Sequence, residues 1–181
     1  MFRVTVICGS SNKHGFSSHI CERIKHCCKS ADAGCTVIYP SDMTINHCSG
    51  CDSCTDGICT VDDDMAEILN AVKESDMVFF VIPIHFSGPS SLMKTVIDRF
   101  QPFWFHGGIP EQKILAPVLC GGSNSPCFGY TEGILRAFSA TTRMHLITPL
   151  KISGTDEMNP EDTDARVDDF VCDAIRNRQV L

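Results

Sequence analysis

Residues 48–59 read CSGCDSCTDGIC and place four thiols, Cys48, Cys51, Cys54 and Cys59, at the spacing C-x2-C-x2-C-x4-C. Disulfides, a zinc ion and an iron–sulfur cluster all use thiols at such density. In a reducing compartment a disulfide framework falls away. Zinc sites usually pair two separated C-x2-C knuckles across a long interval. Here three thiols share one spacing and the fourth follows after four residues. The first three match the run that wraps a cubic [4Fe–4S] cluster, and Gly57, like Gly50 before it, lets the chain turn so that Cys59 can close the same site. These four are the expected metal ligands, with zinc or free thiols as the alternatives. Asp52 and Asp56 add negative charge, which lowers a cluster's reduction potential. His47 is the one neighbouring group expected to oppose them, although an exposed loop histidine is the simpler reading.

A second constellation is GSSNKHGFSS, Gly9 to Ser18. It lacks the G-x-G-x-x-G fingerprint and a terminal Gly-Lys-Ser/Thr, so neither a dinucleotide turn nor a Walker loop is expected. It offers Ser10, Ser11, Asn12, Ser17 and Ser18 around Gly15, just before a helix. Hydroxyls and free N–H groups at a helix start suit a phosphate, while a Ser-rich capping turn is the bland alternative. PIHFSGPSSLMKTVIDR (83–99) and CGGSNSPCFGYTEG (120–133) gather further glycines and small polar residues with His85 and Phe86. Together they read as a rim able to hold a phosphate and a flat ring.

The elements that position these loops alternate from end to end. RVTVIC, CTVIYP, MVFFVIP, KILAPVLC and MHLITPLKI read as strands by their apolar and β-branched runs, with Pro117 awkward inside the fourth. Helices are expected at 17–29, from DDDMAEILNAVKESD with an Asp as N-cap, from SLMKTVIDRF and GYTEGILRAFSATT, and at 160–179. Five strands separated by helices imply a parallel sheet covered on both faces. The expectation is a single α/β domain over residues 1–181, with the cysteine segment, 47–60, as its irregular insert. Both sites are expected on the same rim of the sheet.

A net charge of −7 with no Lys/Arg cluster argues against a nucleic-acid partner. No apolar run spans a membrane, and the N-terminus lacks a signal-peptide layout, so the expected compartment is the cytoplasm. Twelve cysteines there imply metal or redox chemistry beside packing. Cys8, Cys35, Cys120 and Cys172 sit in apolar patterns, and Cys21, Cys27 and Cys28 share one helix. Cys127 is either a redox thiol or a bystander. Asp62, Asp63 and Asp64 are explained by a helix start. FQPFWFHGG carries four aromatics, assigned here to a subunit interface.

The phosphate-type loop, DDDMAEIL and VIPIHFSGPSSLMKTVIDR together resemble, in order and spacing, the flavodoxin-like NAD(P)H-dependent FMN reductases. The cysteine run resembles the compact motif of the iron–sulfur flavoproteins, a branch of that family that carries it between the second strand and second helix. The resemblance implies a doubly wound five-stranded parallel sheet of order 2-1-3-4-5. It places FMN phosphate contacts on Ser10, Asn12, Gly15, Phe16, Ser17 and Ser18, ring contacts on Pro83, Ile84, His85 and Phe86, and a third set on Gly121, Gly122 and Gly129. Ser11 stands where the family usually has proline, Asn12 where it often has a basic residue, and His85 where tyrosine is common. The implied activity is an oxidoreductase with FMN, a [4Fe–4S] cluster and NAD(P)H as donor, exchanging electrons with a small-molecule or protein partner as a homodimer or homotetramer. A cluster-free flavin, quinone or azo reductase is the first alternative. A non-enzymatic electron carrier or zinc-stabilised binding module is the second.

Overall fold

The computed structural model describes residues 1–176. Strand β1 (Arg3–Cys8) is followed by α1 (Phe16–Ser30), whose buried Ile20, Cys21, Ile24, Cys27 and Cys28 fall on one helical stripe. Then come β2 (Gly34–Ile38), α2 (Met65–Glu74) and β3 (Met77–His85). The last closes into a hairpin with the two-residue β4 (Gly88–Pro89). After α3 (Ser91–Asp98) and α4 (Pro102–His106) the chain forms β5 (Ile114–Gly121), α5 (Gly129–Thr142), β6 (His145–Leu146), β7 (Leu150–Ser153) and α6 (Asp164–Arg176). The expected last three residues of the final helix, 177–179, lie outside the described residues.

The sheet runs β2-β1-β3-β5-β6, with β7 also on β5 and every pairing parallel except the β3–β4 hairpin. This is the doubly wound flavodoxin-like order anticipated from sequence, with β4 as an added hairpin arm. One core joins α1 and α6 to one face of the sheet, and the other packs α2, α3, α4 and α5 residues on the opposite face. Connections diverge from β1 towards β2 on one side and from β3 towards β5 on the other. The loop after β1 therefore sits at the switch point where such sheets bind ligands.

Two expectations are corrected. The fifth strand is two, β6 and β7, interrupted at Ile147–Pro149 where Pro149 has no N–H to donate. Between the pairs Leu115↔Leu146 and Val118↔Leu150 the edge chain carries one residue more than β5. That break also accommodates Pro117. Leu115 accepts from Ile147 on the edge side, so alternation sends the missing N–H of Pro117 to the same side, between the two short strands. The α2 N-cap is an Asp, Asp64, as expected; its own side chain makes no capping bond, and Asp63 accepts from the Met65 N–H at 3.1 Å. The aromatic run divides by helical spacing. Phe100 and Phe103 pack with each other and Phe100 with Phe138 inside the core, while Trp104 and Phe105 are 65% and 41% exposed.

Candidate functional site

After β2 the chain makes one 3-10 turn (Pro40–Asp42) and has no further helix or strand until Met65. The two ends of this segment are tied together. Thr44 N–H donates to Asp64 Oδ2 at 2.6 Å, and Asp64 N–H returns a bond to the Thr44 carbonyl at 3.0 Å. One step inward, Asn46 N–H donates to Asp63 Oδ2 at 2.9 Å. The cysteines therefore belong to a loop with a closed neck. Inside it Gly50 and Gly57, given turns from sequence, adopt left-handed φ of 64° and 78°.

All four cysteines line one cavity of about 330 Å³, whose opposite wall is Asp98, Arg99, Gln101 and Pro102 at the C-terminal end of α3. Arg99 and Asp63 form an ion pair with side chains only 2% and 1% exposed. Arg99 Nη1 donates to Asp63 Oδ2 at 2.6 Å and to the Asn46 carbonyl at 2.7 Å. Nη2 donates to Asp63 Oδ1 at 2.9 Å and to Cys59 Sγ at 3.6 Å. The guanidinium beside it, helped by the N–H groups of Asn46 and Met65 and opposed by burial, holds the Asp63 carboxyl well below the usual carboxylate range. The expectation that only His47 opposes the local acids is thus overturned. His47 is exposed, and the cation at the thiols is Arg99, forty residues beyond Cys59.

Among the described residues, no three His, Cys, Asp or Glu side chains stand close enough together to hold one metal ion. A zinc site needs its sulfurs about 2.3 Å from a single centre. The four thiols line one cavity, a donor set that either a zinc ion or a four-iron cluster uses. Cys54 is the buried member, and desolvation pushes its thiol up. His106 Nε2 donates to the Thr55 carbonyl, which pins the loop to α4.

The switch-point loop is held from below. Gly9 donates to the Val81 carbonyl at 2.8 Å, and a Cβ there would meet Met93 Cβ and Val81 O at 3.0 Å, so only glycine allows β1, β3 and α3 to converge. Ser90 caps α3 by accepting from Met93 N–H at 3.2 Å and donates to the Gly9 carbonyl at 2.5 Å, joining the first and second loops. Ser10 Oγ accepts from Asn12 N–H at 3.1 Å, and Asn12 Oδ1 from His14 N–H at 3.1 Å. Gly15 is the N-cap residue of α1, whose first turn carries no acid. The Ser17 and Ser18 side chains are buried; Ser18 donates to the Asn12 carbonyl at 2.7 Å, so it braces the loop from inside. Lys13 pairs with Asp42 at 2.6 Å.

The second loop is a tight hairpin. Ile84 pairs with Pro89 and His85 with Gly88, leaving Phe86 and Ser87 as the two turn residues at φ of 49° and 66°. A two-residue turn with both centres left-handed normally uses Asn and Gly, so this one carries strain. Phe86 stands fully in solvent at 107% exposure, beside exposed His85. Buried Thr131 of α5 donates to the Ser87 carbonyl at 3.3 Å and steadies the tip. In the third loop, a Cβ on Gly121 would meet Pro126 at 2.4 Å and one on Gly122 would meet the Asp156 carboxylate at 2.5 Å. Thr155 and Asp156 N–H groups donate to the Gly121 and Gly122 carbonyls. Internal packing therefore accounts for these two glycines, while Gly129 opens α5 with free space around it.

Ser90 at the start of α3 and Arg99 just past its end are separated by roughly 13 Å at 1.5 Å per residue. The cysteine cavity lies against the C-terminal end of α3, while Asp42, two residues before the neck at Thr44, joins the switch-point loop through Lys13. Below the switch-point loop sit three buried thiols. Cys8 is lowered to about 7, chiefly by a bond from Cys21, while burial pushes Cys120 up to about 12. Cys127 is exposed. Sequence reasoning gave Asp63 only a place at a helix start and assigned no role to Arg99, Ser90 or Thr131. The one available signal was a charge inside VIDRF, where Val96 and Phe100 place Arg99 beside an apolar helix face.

Fold and loops define a flavodoxin-like protein with a candidate ligand rim and a thiol cavity. Residues 2–155 match the family model described as NADPH-dependent FMN reductase, and the chain belongs to that family. An iron-sulfur flavoprotein of Archaeoglobus fulgidus is 29% identical over 135 residues, covering 73% of this chain and 61% of the relative. A second from that organism is 28% identical over 120 residues, 66% and 59% of the two chains. The matched stretch thus spans about three fifths of these relatives' length. Among solved structures, a flavone reductase superposes with a TM-score of 0.79 at 18% identity, covering 99% of this chain and 63% of that one. An NAD(P)H:quinone oxidoreductase from Methanothermobacter marburgensis gives 0.74 at 14% identity, covering 98% and 97%. At these identities the structures speak for the fold.

Proposed function

We propose that this chain binds FMN at the switch-point rim and one [4Fe–4S] cluster in the cysteine cavity, and passes electrons between a reduced donor, such as NAD(P)H, and a small-molecule or protein acceptor. The observation that carries the reading is the convergence of Cys48, Cys51, Cys54 and Cys59 on one cavity walled by a buried arginine. The family match supports FMN, and the names of the archaeal relatives support the cluster. Bound together, a flavin that exchanges one or two electrons and a cluster that exchanges one can convert hydride-like input into single-electron output.

The chain's own residues divide the work. The start of α1 presents the N–H groups of Phe16 and Ser17, which have no carbonyl one turn back, and with Ser10 and Asn12 they would hold the phosphate. Pro83, Ile84, His85 and Phe86 form the arm against which the ring would lie. Gly121 and Gly122 hold the neighbouring wall in place through their bonds to residues 155 and 156. Exposed Trp104, Phe105, Tyr130 and Phe86 support an assembly of two or four copies. Among the described residues no helix is long and apolar enough to cross a membrane; a cytoplasmic site of action is part of the proposal.

Purification without oxygen, with a visible spectrum and analysis of flavin, iron and sulfide, tests this. The expected result is FMN and about four irons per chain. FMN without iron after reconstitution would leave a plain flavin-dependent reductase, and zinc in a colourless protein would point to a binding module.

A further inference from the structure

We infer that Arg99 is the positioning residue of the cysteine cavity and the counter-charge of the cluster held there; this rests on the cluster reading above. One guanidinium reaches the Asn46 carbonyl before the first cysteine, Asp63 after the last, and the sulfur of Cys59 itself. It therefore fixes both ends of the segment and the fourth ligand at once. Asp63 grips it through both carboxylate oxygens, which sets the plane of the fork. Arg99 Nε is buried and has no hydrogen-bond partner among the described residues. Buried donors are rarely left unpaired, and the side chain that carries this one walls the cavity. A cluster sulfur there would supply the missing acceptor.

The electrostatic consequence has a definite sign. Four thiolates around a cluster concentrate negative charge, and Asp52 adds to it at the cavity wall. A buried cation donating hydrogen bonds to sulfur favours the electron-rich state and raises the reduction potential. Asp63 partly neutralises that cation, so removing the Asp63 charge has the opposite effect to removing Arg99. Lysine keeps the charge but lacks the planar fork that spans Asn46, Asp63 and Cys59 together.

The test compares wild type, Arg99→Lys, Arg99→Met and Asp63→Asn, all purified and reconstituted without oxygen, for iron and sulfide content and for midpoint potential by spectroscopic titration. Arg99→Met should bind less iron, and its loaded fraction should show at least a tenfold shift towards the oxidised form, a fall of about 59 mV for one electron. Arg99→Lys should recover part of both losses, and Asp63→Asn should shift the potential upwards. A merely structural role lowers iron content in Arg99→Met and Asp63→Asn alike without opposed potentials. If Arg99→Met takes up no iron, Arg99→Lys and Asp63→Asn decide by the direction of their shifts. Loaded variants with the wild-type potential overturn the assignment and leave the cluster reading standing. A wild-type protein that never takes up iron and sulfide overturns both.

Discussion

Asp63→Asn in the iron-free protein isolates the energetics of the cavity wall. The variant keeps the shape and one acceptor oxygen at position 63 but removes the charge facing Arg99. In the wild type that carboxylate accepts two bonds from the guanidinium, one each from the Asn46 and Met65 backbone N–H groups and one from the Asn46 side-chain amide, with both charged side chains almost wholly buried. Breaking a buried pair by removing one partner costs about 3–5 kcal/mol, since the other charge is left uncompensated. That is a large share of a domain stability of about 5–15 kcal/mol. For a chain of this size each kcal/mol moves Tm by about 2–4 °C, so a fall of roughly 6–20 °C is expected. The pH dependence has a fixed direction. The folded carboxyl titrates below its unfolded value of about 3.9, so its contribution is fully present above that pH and is lost as pH falls towards the folded value. Urea unfolding of both proteins from pH 7 down to pH 3 should show a constant gap above about pH 5 that narrows on acidification. A gap under about 1 kcal/mol at pH 7, the scale of an exposed pair, or one that widens in acid, would refute a closed buried ion pair at the neck of the loop.

Cys54→Ala, purified without oxygen, should lose iron and sulfide while retaining FMN, because the thiol cavity and the proposed flavin loops use different side chains; loss of both together would contradict that independence. Ser10→Ala should weaken FMN binding at least tenfold, since a hydrogen bond to a charged group contributes about 1.5–3 kcal/mol, and unchanged affinity by fluorescence titration would put the phosphate elsewhere. Ser87→Gly should relieve the left-handed strain at φ 66° and stabilise the chain by up to about 1 kcal/mol in thermal unfolding. Trp104→Asp should shift sedimentation at micromolar concentration towards the monomer, and an unchanged profile would remove this face from the proposed interface.

The alternation of strands and helices was legible because it rests on local signals, while the sheet order came only with the family resemblance. A continuous apolar run such as MVFFVIP suits a central strand covered on both faces, and α1 shows its buried face through the spacing of Ile20 and Ile24. The turns at Gly50 and Gly57 were likewise readable, since a left-handed φ selects glycine within the segment itself. Pro117 was awkward in sequence because its tolerance depends on a gap between two edge strands that forms only when the sheet assembles. Cysteine spacing fixed which thiols could act together, but not the cation that faces them. Asp63 read as one of three acids at a helix start and Arg99 as one charge on a helix. Folding places them in contact across 36 residues, shields both from water and turns the pair towards Cys59. Burial and long-range pairing are properties of the packed chain, so the side chain that most shapes the cysteine cavity became visible only in three dimensions.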